Sequence, residues 1–324
     1  MYSDIVKANK SKKMCKVSVI IPNYCHAAYL EQRIDSVLSQ TYQDFEVIIL
    51  DDNSPDNGLS RMVIEKYREN PHVSHIVYNE ENSGSTFKQW DKGISLAEGE
   101  YIWIAESDDY CSPLLLESIM KVIDENINVS LAYCQSVWVN KEGKVIKKTL
   151  SSGGASIYDT RRFIEWFMLL GNGVTNASSA VFLKDAALKI DKEYAKYKGA
   201  GDRLFWIKIA EQGNVAVINE GLNYFRQHGD NTTSRCYVNG TNFFEDKKIF
   251  DKICHKYNVS YKKQIFVFQE TLKFAKQINF ASEAIRRSVF EVWTMPTFLK
   301  MIKPFYQTYD SLITILRRYL RQKS

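Results

Sequence analysis

The chain reads as an α/β protein: a mixed central sheet with helices on both faces, then a helical extension. β-Branched apolar runs and helical stripes alternate from Val17 to Ala105. Acidic clusters close two of those runs, and after about residue 241 nearly every segment carries helical periodicity.

Taken in order, Val17-Ser18-Val19-Ile20-Ile21 is short, β-branched and stopped by Pro22, so it reads as a buried strand. Leu30, Ile34, Val37 and Leu38 then fall on one helical stripe. Phe45 to Leu50 is a second strand, closed by Asp51-Asp52-Asn53-Ser54. Met62, Ile64 and Tyr67 mark a helix, Val73 to Tyr78 a strand, Thr86 to Ala97 a helix and Tyr101 to Ala105 a fourth strand. Strand and helix in strict alternation predict parallel strands with right-handed crossovers, and place the working side chains beyond the strands' carboxyl ends. From Cys111 the pattern changes. Leu114 to Ile123 is helical, Ser130 to Asn140 and the run from Val145 read as a hairpin, and Asp159 to Leu170 as a helix. A Gly/Asn/Ser stretch, 171–179, precedes a helix over Asp202 to Gln212 and a strand over Val215 to Arg226. Asn239-Gly240 marks the boundary of a body, 16–240, in two halves (16–125 and 126–240); 1–15 is a basic leading segment and 241–324 the extension.

Composition narrows the function. The 324 residues are 45% hydrophobic and 25% charged, in the range of an ordinary soluble protein. With 43 basic and 38 acidic residues the net charge is +5, too mild to predict a nucleic-acid partner. No apolar run approaches the roughly 20 residues of a bilayer-spanning helix, and the lysine-rich start is not followed by the apolar core of a signal peptide. Six scattered cysteines without a C-x-x-C fit a reducing, cytoplasmic compartment.

The segment after the first strand, Pro22 to Ala27, contains no glycine, so a dinucleotide-binding loop is excluded. No P-loop, H-E-x-x-H or G-x-S-x-G element occurs. What remains is acidic: Asp51-Asp52 after the second strand and Glu106-Ser107-Asp108-Asp109 after the fourth. Singly, such pairs serve as helix caps and turn formers. On neighbouring strand ends they repel unless a cation joins them, and hard oxygen ligands suit Mg²⁺ or Mn²⁺ completed by substrate phosphates.

Lys16 to Tyr24, Ser36-Val37-Leu38-Ser39-Gln40-Thr41-Tyr42 and Val47 to Ser54 resemble the opening of a family 2 glycosyltransferase. Asn82-Ser83-Gly84, Gly93-Ile94, Ala97 to Ile102 and Ser107-Asp108-Asp109 continue the likeness. It is dense over 16–125 and looser to about 234, through Gly201-Asp202-Arg203 and Phe225 to Thr232.

The resemblance implies a GT-A fold, a nucleotide-sugar donor with UDP favoured by family habit, and inversion at the anomeric carbon. It places Pro22 and Tyr24 at the nucleobase, Asp52 in a hydrogen bond to that base, Asp108 near the ribose, Asp109 on the metal, Asp202 as general base and His228 as a further metal ligand or diphosphate contact. Three positions depart from the family pattern. Glu106 stands where an Asp is usual, Phe87 to Asp91 replaces an Ala-Arg-Asn stretch, and Gly201 takes the place of a Glu. The lost Arg leaves Lys88 as the candidate base or phosphate contact. His26, next to Tyr24, reads as a loop residue lining the pocket.

The processive relatives carry spanning helices and a Q-x-x-R-W element. Neither occurs here, which predicts one sugar per encounter, delivered to a saccharide or lipid-linked saccharide in cell-surface polysaccharide synthesis. A nucleotidyltransferase and an inactive nucleotide-sugar-binding subunit are the alternatives. In the extension, Phe298, Ile302, Phe305, Tyr309, Leu312, Ile313, Leu316 and Leu320 recur at helical spacing beside Lys300, Lys303, Arg317, Arg318 and Arg321. A basic amphipathic helix of this kind rests on an anionic membrane surface, making the protein peripheral on the inner face of the cytoplasmic membrane, or packs on the body or a second subunit.

Overall fold

The computed structural model describes residues 15–148, 153–228 and 232–306. The strands are β1 (Val17–Asn23), β2 (Phe45–Asp51), β3 (Val73–Tyr78), β4 (Tyr101–Ile104), β5 (Tyr110–Cys111), β6 (Val129–Asn140), β7 (Val145–Lys147), β8 (Ala155–Tyr158), β9 (Ala180–Leu183) and β10 (Asn214–Gln227). They form one sheet in the order β3-β2-β1-β4-β9-β6-β10-β5, with β7 paired to β6 and β8 to β10. The pairs β2–β3, β1–β2, β1–β4 and β6–β10 are parallel, and β9 joins the two parallel groups by antiparallel pairing with β4 and β6. The mixed sheet expected from the sequence is thus present, but its central joint, β9, is only four residues long and lay hidden behind the 171–179 stretch.

The helices are α1 (Ala27–Leu38), α2 (Leu59–Glu65), α3 (Thr86–Leu96), α4 (Leu115–Glu125), α5 (Thr160–Phe163), α6 (Lys184–Lys189), α7 (Gly201–Ala210), α8 (Thr232–Val238), α9 (Thr241–Tyr257), α10 (Tyr261–Ala275) and α11 (Glu283–Val292). The helix expected over 159–170 starts at Asp159, whose carboxylate accepts from Arg162 N, and widens into a π-turn over Ile164–Met168.

Strand alternation sorts the core into two layers. Val17, Val19, Ile21, Val47 and Ile49 pack with Leu30 and Ile34 of α1 and Ile119 and Met120 of α4 on one face. Ile20, Ile48, Leu50 and Ile104 face the other way, against Phe87, Trp90 and Ile94 of α3. A period of two on strands buried on both faces explains why they read as continuous apolar runs. Gly93 lets α3 sit directly on β1, since a Cβ there would lie 2.4 Å from Ile20 Cγ2.

The second layer does not stop at Gly240. Phe243, Ile249 and Phe250 of α9, Phe268 of α10, Trp293 and Leu299 are buried in the same cluster as Phe205 and Trp206 of α7. Chain direction changes at Gly240, in a left-handed conformation with φ +79°, while the apolar core runs on. Residues 297–306 are helical, with Leu299 buried and Phe298, Met301 and Phe305 exposed. The basic amphipathic pattern beyond Tyr306 lies outside the described residues. Among the described residues, no helix is long and apolar enough to cross a membrane.

Candidate active site

Parallel register brings the carboxyl ends of the first strands to one edge. Asn23, the last residue of β1, pairs with Asp51, the last of β2, and the Glu106 to Asp109 turn follows β4 alongside. Two cavities open there. The larger, about 940 Å³, is lined by Pro22, Tyr24, Asp52, Asn82, Gln89 and Trp90. The other, about 800 Å³, is lined by Asp108, Trp138, Asn172, Arg226, Tyr237 and Asp246 among others. His26, Glu106 and Asp202 line both, so they stand where the two spaces meet.

Asp52 is buried and fully engaged by its own loop. It accepts from Asn79 Nδ2 (2.5 Å), Ser83 N (2.9 Å), Ser83 Oγ (2.7 Å), Asn82 Nδ2 (3.2 Å) and Gln89 Nε2 (2.7 Å). Residues 79–89 are therefore folded around this carboxylate, with Asn82 and Ser83 both bound to it. Asp51 does the same for the neighbouring turn, accepting from Asn23 Nδ2 and Ser54 Oγ at 2.7 Å each. Lys88 is exposed, donates to Ser83 O at 2.9 Å and lines neither cavity. The side chain from α3 that reaches the larger cavity's Asp52 is Gln89.

The two acids of the second motif part company. Asp108 faces the smaller cavity, with Oδ2 3.0 Å from His228 Nε2. Burial alone would raise its carboxyl, but the hydrogen bond with His228 and the nearby His26 outweigh it and hold Asp108 below the usual carboxylate range. Asp109 is wholly buried. It accepts from Ser178 Oγ (2.7 Å) and Arg226 N (2.9 Å), with Arg33 Nη2 at 3.9 Å. Burial, then the charge of Asp108, push it up to about 7. The residue expected on the metal thus holds the motif to β10, and the acid beside His228 is its neighbour.

His26, Asp108 and His228 offer ligand atoms within 4.8 Å of one another. His26 Nδ1 lies 2.9 Å from Ser107 Oγ, and Tyr29 stacks on the His228 ring at 6.0 Å, so both imidazoles are held in place. Burial, opposed by the charge of Asp108, lowers His26 and so favours the neutral ring, the form that binds metals. Two imidazoles and one carboxylate are a donor set that suits a borderline divalent ion.

The departures from the family pattern prove to be connected. Trp90 Nε1, from the altered α3 stretch, donates to Glu106 Oε1 at 2.9 Å. Burial, then the charge of Asp108, raise Glu106 to about 8, so it is mostly neutral at pH 7. Gly201 is a matter of space, because a Cβ there would lie 2.5 Å from the Phe87 ring and 2.6 Å from Tyr194 O.

Asp202 sits in the first turn of α7. Its carboxylate accepts from Arg203 N (2.7 Å) and from Asn172 Nδ2 (2.8 Å). Burial, reinforced by the charge of Asp246, raises it to about 6, a value matched to taking a proton near neutrality. Asn172 comes from the Gly/Asn/Ser stretch, whose role sequence reading left open. Arg226 is the other residue it missed. Its guanidinium donates to Asp108 O (2.7 Å), Lys141 O (2.7 Å) and Gln32 Oε1 (2.6 Å), and lies over Tyr29 at 4.6 Å. Partners this far apart in the chain leave no local signature.

The family model described as glycosyl transferase family 2 matches residues 18–190. The chain belongs to that family. The nucleotidyltransferase alternative falls with this result: the protein is a glycosyltransferase. It is 26% identical to the poly(ribitol-phosphate) β-N-acetylglucosaminyltransferase TarP of Staphylococcus aureus over 319 residues, covering 93% of this chain and 92% of TarP. It is 28% identical over 221 residues to an uncharacterized Nostoc glycosyltransferase, alr2836, covering 67% of this chain and 66% of that one. The crystal structure of residues 1–349 of S. aureus TarS in complex with UDP-GlcNAc shares its fold, with a TM-score of 0.67 at 20% identity over 89% of this chain and 83% of that chain. This family 2 member therefore has the GT-A fold.

Proposed function

We propose that the enzyme moves one sugar from a UDP-sugar to a hydroxyl of a saccharide or lipid-linked saccharide, inverting the anomeric carbon, with Asp202 as the base. The observation that carries this reading is the position of Asp202. It stands at the junction of the two cavities, it matches the family's general base, and its carboxylate is raised to about 6. The larger cavity takes the nucleotide against Pro22 and Tyr24. Asp52 shapes its wall through the 79–89 loop. The acceptor enters from the smaller cavity, where its hydroxyl gives its proton to Asp202 as the bond to the departing diphosphate breaks.

A divalent cation at His26, Asp108 and His228 would neutralise charge developing on that diphosphate. This moves the metal role from Asp109 to Asp108, keeps His228 and adds His26. UDP-GlcNAc is the first donor to test, since TarP is named for N-acetylglucosamine transfer and TarS was crystallised with that nucleotide sugar.

The exposed Phe298, Met301 and Phe305, beside Lys300 and Lys303, support a peripheral position on the cytoplasmic membrane surface, where lipid-linked acceptors are reached. Co-sedimentation with anionic vesicles tests that part: full-length protein should pellet, and failure to do so returns these rings to a protein contact.

The decisive experiment offers a panel of nucleotide sugars with and without saccharide acceptors and scores nucleotide release. Acceptor-dependent release of UDP is expected. Release from a non-UDP donor alone would overturn the nucleotide assignment, and an active Asp202→Asn enzyme would overturn the base.

A further inference from the structure

Asp202 depends on a helix that the sequence separates from it by a chain boundary. The turn leading into α7, 198–200, borders the active-site space: Gly199 lines both cavities. Ala200 has no side chain with which to cap the helix. Instead, three consecutive backbone N–H groups point at one carboxylate from α9. Glu245 Oε1 accepts from Lys198 N at 2.8 Å, and Oε2 accepts from Gly199 N at 2.8 Å and Ala200 N at 2.9 Å. Successive amides facing one way form an anion-binding concavity, and charge-assisted bonds to it are among the stronger hydrogen bonds.

The next residue of α9 holds the other side. Asp246 Oδ1 accepts from Arg203 Nη1 at 2.5 Å, and the same buried guanidinium reaches Met168 O and Leu169 O. Glu245 fixes the segment before Asp202, and Asp246 fixes the residue after it.

We propose that Glu245 is a positioning residue for the base: by filling the amide concavity of 198–200 it sets where the Asp202 carboxylate stands between donor and acceptor. The proposal rests on Asp202 being the base. Its chemistry is positional, since Glu245 touches backbone amides and no reacting atom. Without it, the three amides would turn to water and the first turn of α7 would lose its anchor, while the nucleotide wall at Pro22, Tyr24 and Asp52, built on other elements, would stay as it is.

The test compares Glu245→Ala, Glu245→Gln and Asp202→Asn in the full chain. Turnover is expressed per nucleotide-binding site, counted by UDP titration, so that a fraction of unfolded protein does not count as lost catalysis. Glu245→Ala should lose about tenfold to a hundredfold in turnover per site, the loss expected of a base displaced by about an ångström. KM for the donor should change by less than turnover does, since the Pro22, Tyr24 and Asp52 wall is untouched and only the rim at Lys198 and Gly199 is released. Glu245→Gln, which keeps one acceptor oxygen, should fall between. Added acetate should restore part of the turnover of Glu245→Ala, because a small carboxylate fits the vacated concavity, and should restore none to Asp202→Asn. Amide exchange should quicken at 198–200 in Glu245→Ala with α9 still protected. Unchanged turnover per site in both Glu245 variants, with Asp202→Asn inactive, overturns the proposal and leaves the base standing. Near-normal turnover in Asp202→Asn overturns both. If Glu245→Ala does not fold, the Glu245→Gln value and its exchange pattern carry the decision.

Discussion

The larger and the smaller cavity of this cleft, the proposed donor and acceptor sides, are built in opposite ways. The donor side is local. Asp51, Asp52 and the 79–89 loop come from consecutive strand ends, and most of their hydrogen bonds stay within the first crossover units. The acceptor side is assembled from distant pieces: Asn172, Asp202, Arg226, His228 and α9 come from separate parts of the chain. A parallel sheet delivers its strand ends to one edge by topology alone, so short motifs suffice there. A carboxylate such as Asp202 and supports that come from separate elements need tertiary packing to find one another, and packing tolerates many sequences.

That contrast can be tested, largest effect first. On the acceptor side, Asp108→Ala should remove an anionic metal ligand and abolish transfer. Chelation of the wild-type enzyme should do the same, and Mn²⁺ should restore more activity than Mg²⁺, because imidazole donors favour the softer ion. Titration calorimetry should show Mn²⁺ binding lost in Asp108→Ala and weakened in His26→Ala; full activity in chelator removes the metal from the mechanism.

Asp202→Asn should lower turnover by roughly 10²–10⁴ with donor binding unchanged, as expected when a general base is lost. In the wild type the same group gives a pH limb. Its carboxyl is raised to about 6, so the base is ionised above that value and protonated below it. Turnover should therefore fall about tenfold per pH unit below about 6 and level off above it. The Asn variant should lack that limb, and a flat wild-type profile between pH 5 and 7 would speak against Asp202.

Asp109→Ala bears on structure. Its loss removes the acceptor of the Ser178 hydroxyl and of Arg226 N and the carboxylate facing Arg33, whose Nε keeps its bond to Glu106 O, so unfolding should cost about 1–3 kcal/mol less than in the wild type. Denaturant titration measures this, and an unchanged midpoint would return Asp109 to the list of metal candidates. The smallest effect belongs to Lys88→Met. Lys88 is exposed and bound to a backbone carbonyl, so KM for the donor should move by less than about twofold, within the range of ordinary surface substitutions. A tenfold rise would show that Lys88 swings onto the diphosphate.

Much of the fold was legible because its signals are local. Buried parallel strands are apolar runs, and crossover helices carry stripes. The short β8 and β9 were missed because four residues hold too little periodicity to register. At the site, the motifs mark loops at the strands' carboxyl ends but not the directions of side chains within them. Asp108 and Asp109 are adjacent in sequence, and only the register of β10 against that turn decides which one faces the cavity. His26 was read as pocket lining. The distance that joins it to Asp108 and His228 spans most of the body and has no trace in the sequence. The altered stretch around Trp90 and the unusual Glu106 looked like two independent losses, yet they share a hydrogen bond.

The core that runs past Gly240 has a practical consequence for protein engineering. Acceptor preference in such enzymes invites module exchange, and the glycine turn looks like the natural splice point. A chimera joined there would part Glu245 and Asp246 from the turn and arginine they hold, and would bare Phe205 and Trp206. The transplantable unit extends through Leu299, so a graft that carries the body together with α9, α10 and α11 keeps both its catalytic alignment and its interior, whatever tail is attached after it.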